Sequence, residues 1–121
     1  MPDADPQHGD VYKASPATSI DGDVHGDRYR PVAVVERLPR TATCLTRTTH
    51  PESRAETLMS DKNEKIGLSE SGWWTNRHQR SVPRRFWGTK DFVYSGRLPE
   101  SEVAELARFW ELLGMLGRRN A

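Results

Sequence analysis

A guanidinium and a group of hydroxyls stand where two apolar runs meet polar chain. Arg30-Pro31 opens the run Val32-Ala33-Val34-Val35, which fixes a permanently charged, fork-shaped donor where a long polar segment enters a buried strand. Thr46-Arg47-Thr48-Thr49 closes the next apolar run and adds hydroxyls and a second guanidinium. If the two runs pair antiparallel, the start of one lies beside the end of the other, and one pocket can hold both sets. Such a pocket suits recognition of a phosphate. Two plainer readings stand beside it: Arg30 pairing with Asp23 or Asp27 at the surface, and threonines serving β-propensity and turn hydrogen bonds.

The elements that must position these groups follow from periodicity. A chain of 121 residues allows one domain with a modest core, and although only 35% of it is hydrophobic, four Trp, three Tyr and three Phe bury much area per residue. Residues 1–8, with Pro2 and Pro6, read as a disordered tail, so that a single domain spans 9–121. Val11-Tyr12 opens a short strand. Residues 16–28 are rich in Gly and Asp and form a long exposed loop, either a binding loop or plain disorder.

The β-branched runs 31–36 and 41–46, separated by Leu38-Pro39-Arg40, predict adjacent antiparallel strands at the centre of a sheet. From Thr48 to Lys65 only Leu58 and Met59 can bury anything, which fits a surface loop or edge hairpin. Ile66-Gly67-Leu68 and Gly72-Trp73-Trp74 follow, then Val82-Pro83 near a sheet edge and a last strand at Phe92-Val93-Tyr94. The final element is an amphipathic helix over 99–117. Pro99 stands at its first position, Glu100 and Glu102 in its first turn, and Val103, Leu106, Trp110, Leu113 and Gly117 along one face. Phe109, Leu112 and Leu116 widen that face enough to serve a partner or a dimer.

Several chemistries lack their residues. Cys44 is the sole cysteine, which excludes an internal disulfide and a thiolate zinc cluster. His8, His25, His50 and His78 are scattered without the spacing of a metal site, and no cofactor is expected. There is no phosphate-binding glycine loop, nucleophile elbow or dinucleotide fingerprint. No run approaches the roughly 20 apolar residues of a membrane span, so the expected location is cytoplasmic, with no membrane partner. The net charge of +1 hides an asymmetry: six Asp crowd residues 3–27, whereas Arg77, Arg80, Arg84, Arg85, Lys90 and Arg97 face only Asp91. That basic stretch predicts a local anion-binding surface.

Taken in order, Gly9-Asp10-Val11-Tyr12, a polar loop, Arg30-Pro31-Val32-Ala33-Val34-Val35 and Leu45-Thr46 resemble the signature of the MazF/PemK toxin family. Ile66-Gly67-Leu68, Gly72-Trp73-Trp74, Arg80-Ser81-Val82, Ser95-Gly96-Arg97-Leu98 and the final helix resemble the rest of that domain. The resemblance implies a mainly β fold, an SH3-like small barrel of the MazF/PemK/CcdB type with a C-terminal helix. It also implies a homodimer that cuts single-stranded RNA and is neutralised by an antitoxin, with Arg30 and Thr46 in the active site.

On that reading the RNA 2′-hydroxyl attacks the adjacent phosphorus, Arg30 stabilises the charge that develops, and Thr46 positions a phosphate oxygen. His25, just before Arg30, is the candidate for proton transfer, since an imidazole exchanges protons in both directions near neutral pH. Arg47, Thr48, Arg77, Arg80, Arg84 and Arg85 would contact the RNA while Trp73 or Trp74 stacks a base. Two departures stand out: Val24-His25-Gly26 replaces the family's acidic-Gln pair, and Arg77 or a neighbour replaces an Asp. The alternative they leave is a non-catalytic barrel that binds gyrase, RNA or a partner protein.

Overall fold

The computed structural model describes residues 5–18, 29–50 and 56–119. Within them the chain forms six strands: β1 (Asp10–Ala14), β2 (Arg30–Arg37), β3 (Thr41–Thr48), β4 (Thr57–Ser60), β5 (Gly72–Pro83) and β6 (Phe92–Arg97). Helix α1 (Glu100–Arg119) follows, and single 3-10 turns sit at Pro16–Thr18, Glu64–Ile66 and Arg84–Phe86. All ladders are antiparallel, and the strand order is β4-β5-β3-β2-β1-β6. The expected central pair is β2 and β3, with Val32 opposite Thr46 and Ala33 opposite Leu45.

The unbroken apolar run of β2 reflects burial on both faces. Ala33 and Val35 join Val11, Leu45 and Trp74 in a core that Leu106, Phe109 and Leu113 of α1 cover. Val32 and Val34 point the other way, into a second core with Tyr12, Ala14, Cys44, Val82, Trp87 and Phe92. An alternating strand would bury only one of these faces. Register shifts in the β1–β6, β2–β3 and β3–β5 ladders bend the sheet so that its own end elements close over the second core.

One correction concerns closure. Among the described residues β4 pairs only with β5 and β6 only with β1, so no ladder joins the outer strands and the sheet is curved but not a closed barrel. β4 is four residues long, and all four pair with β5. The edge prediction for Val82-Pro83 holds locally. β4 covers residues 72–75 of β5, leaving Pro83 paired with Thr41 alone, where its missing N–H costs no ladder bond.

Packing begins before Gly9. Pro6 is fully buried, and the His8 ring lies 3.0 Å from the Val35 carbonyl oxygen and 3.1 Å from that of Val103, tying the N-terminal segment to both β2 and α1. Gly9 itself is required by space and conformation: its φ is +94°, and an added Cβ would lie 2.7 Å from Val103 Cγ2. The helix starts one residue later than expected, because Pro99 supplies its carbonyl to the N–H groups of Glu102 and Val103 and so stands as the cap. Phe109 lies deeper than Trp110, while Leu112 and Met115 are exposed.

Candidate functional site

The register brings Arg30 and Thr46 to one place. Val32 pairs with Thr46, so Arg30, two residues earlier and on the same face, lies beside the end of β3. Its Nη2 donates to the Arg47 carbonyl oxygen at 3.1 Å, which sets the half-buried guanidinium against the backbone between Thr46 and Thr48. Thr46 is fully buried, and among the described residues its Oγ1 has no hydrogen-bond partner. A buried orphan hydroxyl costs about 1–3 kcal/mol, so its persistence calls for a ligand, a water or a use.

A bulge lies alongside. Between the pairs Thr46–Thr75 and Cys44–Arg80, β5 advances five residues while β3 advances two, and residues 76–79 take no partner on β3. Bulges re-aim side chains and are frequent beside active sites. The bulge is held at its start by the Arg77 N–H, which donates to Thr75 Oγ1 at 3.2 Å, and it carries the exposed side chain of Arg77. The register therefore sets Arg30, Thr46 and Thr75 on three adjacent strands, with the Arg77 backbone bonded to Thr75. Thr75 is the member with no signal in the sequence, because only the bulged register sets its hydroxyl beside the site.

The other predicted residues divide by burial. Arg47 is buried, its Nη1 donating to Ser60 Oγ and its Nη2 to the carbonyl oxygens of Ser60, Asp61 and Glu70, with Trp74 beneath it at 5.0 Å. Burial pulls its basicity below the usual arginine value, opposed by the charges of Glu102 and Asp61, yet an arginine there stays charged. Trp74 is 1% exposed. Both belong to the core, which corrects their expected contact with RNA; Trp73, only partly buried, is the tryptophan of that pair with a face to solvent.

Arg80 is likewise internal. Its Nη1 donates to the carbonyl oxygens of Ala14 and Ser15 at 3.4 and 3.2 Å and to Thr18 Oγ1 at 3.0 Å, fastening β5 to the chain that leaves β1. The expectation that it tracks a nucleic-acid backbone is corrected accordingly. Thr48 Oγ1 accepts from the His50 N–H at 3.1 Å, in a turn just beyond the end of β3 where the exposed His50 ring lies with Nδ1 3.0 Å from Thr49 Oγ1. His50 is a second candidate for proton transfer that the sequence left as a loop residue. His25 lies outside the described residues.

Arg84 and Arg85 stand elsewhere. They follow Pro83, opposite Thr41, at the other end of β3 from Thr48, a span of about 23 Å at about 3.3 Å per residue. Cys44 is buried, and burial pushes its thiol far up in pKa, so it has no standing as a nucleophile. Among the described residues no group of His, Cys, Asp or Glu has the arrangement of a metal site, and no helix is long and apolar enough to cross a membrane.

Fold and site together define a mainly β protein with one C-terminal helix and a cation-and-hydroxyl site at the end of its central strand pair. No protein-family model matches the chain, and no curated protein matches it either.

Proposed function

We propose that the protein is a metal-independent endoribonuclease of the MazF/PemK type. On this reading it acts as a homodimer on single-stranded RNA, is neutralised by an antitoxin, and has a sheet that is an open variant of the MazF-type barrel. The observation that carries the proposal is the pairing of Arg30, anchored on the Arg47 carbonyl, with the buried and unpartnered Thr46 hydroxyl. A phosphate oxygen would satisfy the hydroxyl, and the guanidinium fork would accept the charge that builds on the phosphorane.

In the reaction the 2′-oxygen forms its bond to phosphorus as its proton passes to a base, and the P–O5′ bond breaks as O5′ takes a proton from an acid. The products are a 2′,3′-cyclic phosphate and a 5′-hydroxyl. His25 and His50 are the candidates for these transfers. Thr46 Oγ1 is closed off from solvent, so the side chains that cover it must give way as the phosphate enters.

That same closure is what favours the second reading, a non-catalytic protein of this open-sheet fold that binds gyrase, RNA or a partner protein. A cleavage assay in EDTA on long mixed-sequence RNA separates the two. Cleavage that Arg30→Ala and Thr46→Val both reduce by about 10²-fold or more supports the enzyme and this site. Intact RNA with the wild-type protein rejects the enzyme in favour of the binding module.

A further inference from the structure

At the far end of the sheet from the Arg30–Thr46 site, three arginines lie over two rings and a fourth, Arg40, is tied to them through its backbone. Arg84 begins the turn after β5, and its N–H donates to the Arg40 carbonyl oxygen at 2.8 Å, locking that turn onto the β2–β3 connection. Trp87, which donates from Nε1 to the Val82 carbonyl oxygen at 3.2 Å, is thereby fixed as the lid of the second core. Arg37 lies 5.6 Å and Arg84 5.8 Å from its ring centre, and Arg85 lies 4.8 Å from that of Phe86.

We propose that Arg37, Arg84 and Arg85, set on Trp87 and Phe86, form with the adjoining Arg40 a second contact surface for the phosphate backbone of a single-stranded nucleic acid. The inference rests on the nucleic-acid reading of the sheet but not on cleavage. Three observations carry it. All four arginines are exposed. Only Arg37 is matched by a carboxylate, Asp5 at 3.1 Å, and among the described residues Arg40, Arg84 and Arg85 make no ion pair.

Ring contacts and a bond from Arg84 Nη1 to the Pro39 carbonyl oxygen at 3.4 Å also order the guanidinium groups of Arg84 and Arg85 before a phosphate arrives, and a ring contact by itself uses none of the N–H edge. An acidic protein surface would be drawn by the same charge. The charge pattern favours nucleic acid, because three of the four arginines make no ion pair among the described residues and a repeating phosphate backbone can engage them together.

The test uses a 2′-O-methyl RNA of roughly 16 nucleotides, which cannot be cut through its 2′-oxygen, and one of about 4 nucleotides. Binding is measured by fluorescence anisotropy across a salt series, for wild type and for Arg40→Gln/Arg84→Gln/Arg85→Gln. Wild type should bind the long strand with a salt slope steeper than the triple variant's by about 2, since each lost phosphate contact removes about 0.7, and the short strand should show no such difference. An unchanged melting temperature of the variant excludes a folding defect.

Equal slopes with both proteins, or no binding of the long strand by wild type, would overturn the inference. RNA cleavage by wild type with equal slopes would leave the enzyme reading standing and remove this surface alone. A slope that depends on the three arginines, in a protein that cuts nothing, would retain the surface and remove the enzyme.

Discussion

Thr46→Val is the substitution with the most to say, because stability and function should move in opposite directions. Valine keeps the β-branched shape and suits a strand equally well, so the change removes one hydroxyl and little else. At a fully buried position where that hydroxyl lacks a partner, its removal lifts a desolvation cost of about 1–3 kcal/mol. A gain of about 1 kcal/mol would raise the melting temperature by about 3–6 °C for a domain of this size. Thr75→Val is the control: Thr75 is also buried, but its Oγ1 accepts from the Arg77 N–H, so the same change should cost about 1 kcal/mol. Urea unfolding followed by tryptophan fluorescence reads both. If Thr46→Val destabilises as much as Thr75→Val, the hydroxyl is satisfied in solution and the argument for a poised phosphate contact collapses.

Arg47→Ala should be among the most damaging single changes, costing about 3 kcal/mol or more in urea unfolding, because it strands the carbonyl oxygens of Ser60, Asp61 and Glu70 and uncovers Trp74. A loss under about 1 kcal/mol would show that Arg47 does not fasten β4 to the sheet. Glu102 is held above the ordinary carboxylate range by burial first and by the charges of Asp61 and Glu105 next. Its folded pKa exceeds the unfolded value, so the stability it contributes is present in acid and lost as pH rises through the folded value. Glu102→Gln should therefore raise the melting temperature at pH 7 and leave it unchanged near pH 3.5, about a unit below the free carboxylate value. An equal shift at both pH values would refute that assignment.

The strand pair 31–36 and 41–46 and the terminal helix were legible because each depends on its own residues. A short apolar run rich in valine and bounded by turn residues reads as a buried strand, and apolar residues at steps of three and four over some 20 residues read as a helix with one covered face. The nearness of Arg30 to Thr46 followed as well, since an antiparallel pair fixes which ends meet. Arg47 and Arg80 look no different in sequence from Arg84 and Arg85, yet the first two are buried under carbonyls and the last two lie over rings at the surface. The direction of an arginine depends on the register of the strands beside it, and here that register jumps at the β5 bulge, which no local pattern announces.

The sequence by itself determined the central strand pair, the short first and last strands, the terminal helix and the residue types that stand at the Arg30 end of that pair. Tertiary structure alone decided that the sheet stays open between β4 and β6, that Trp74 is core, and that the cations divide into internal clamps and an exposed ledge. The reason is the range of the forces involved. Periodicity and propensity act within a few residues, whereas closure and burial depend on contacts between segments far apart in the chain, which exist only once the sheet has curved.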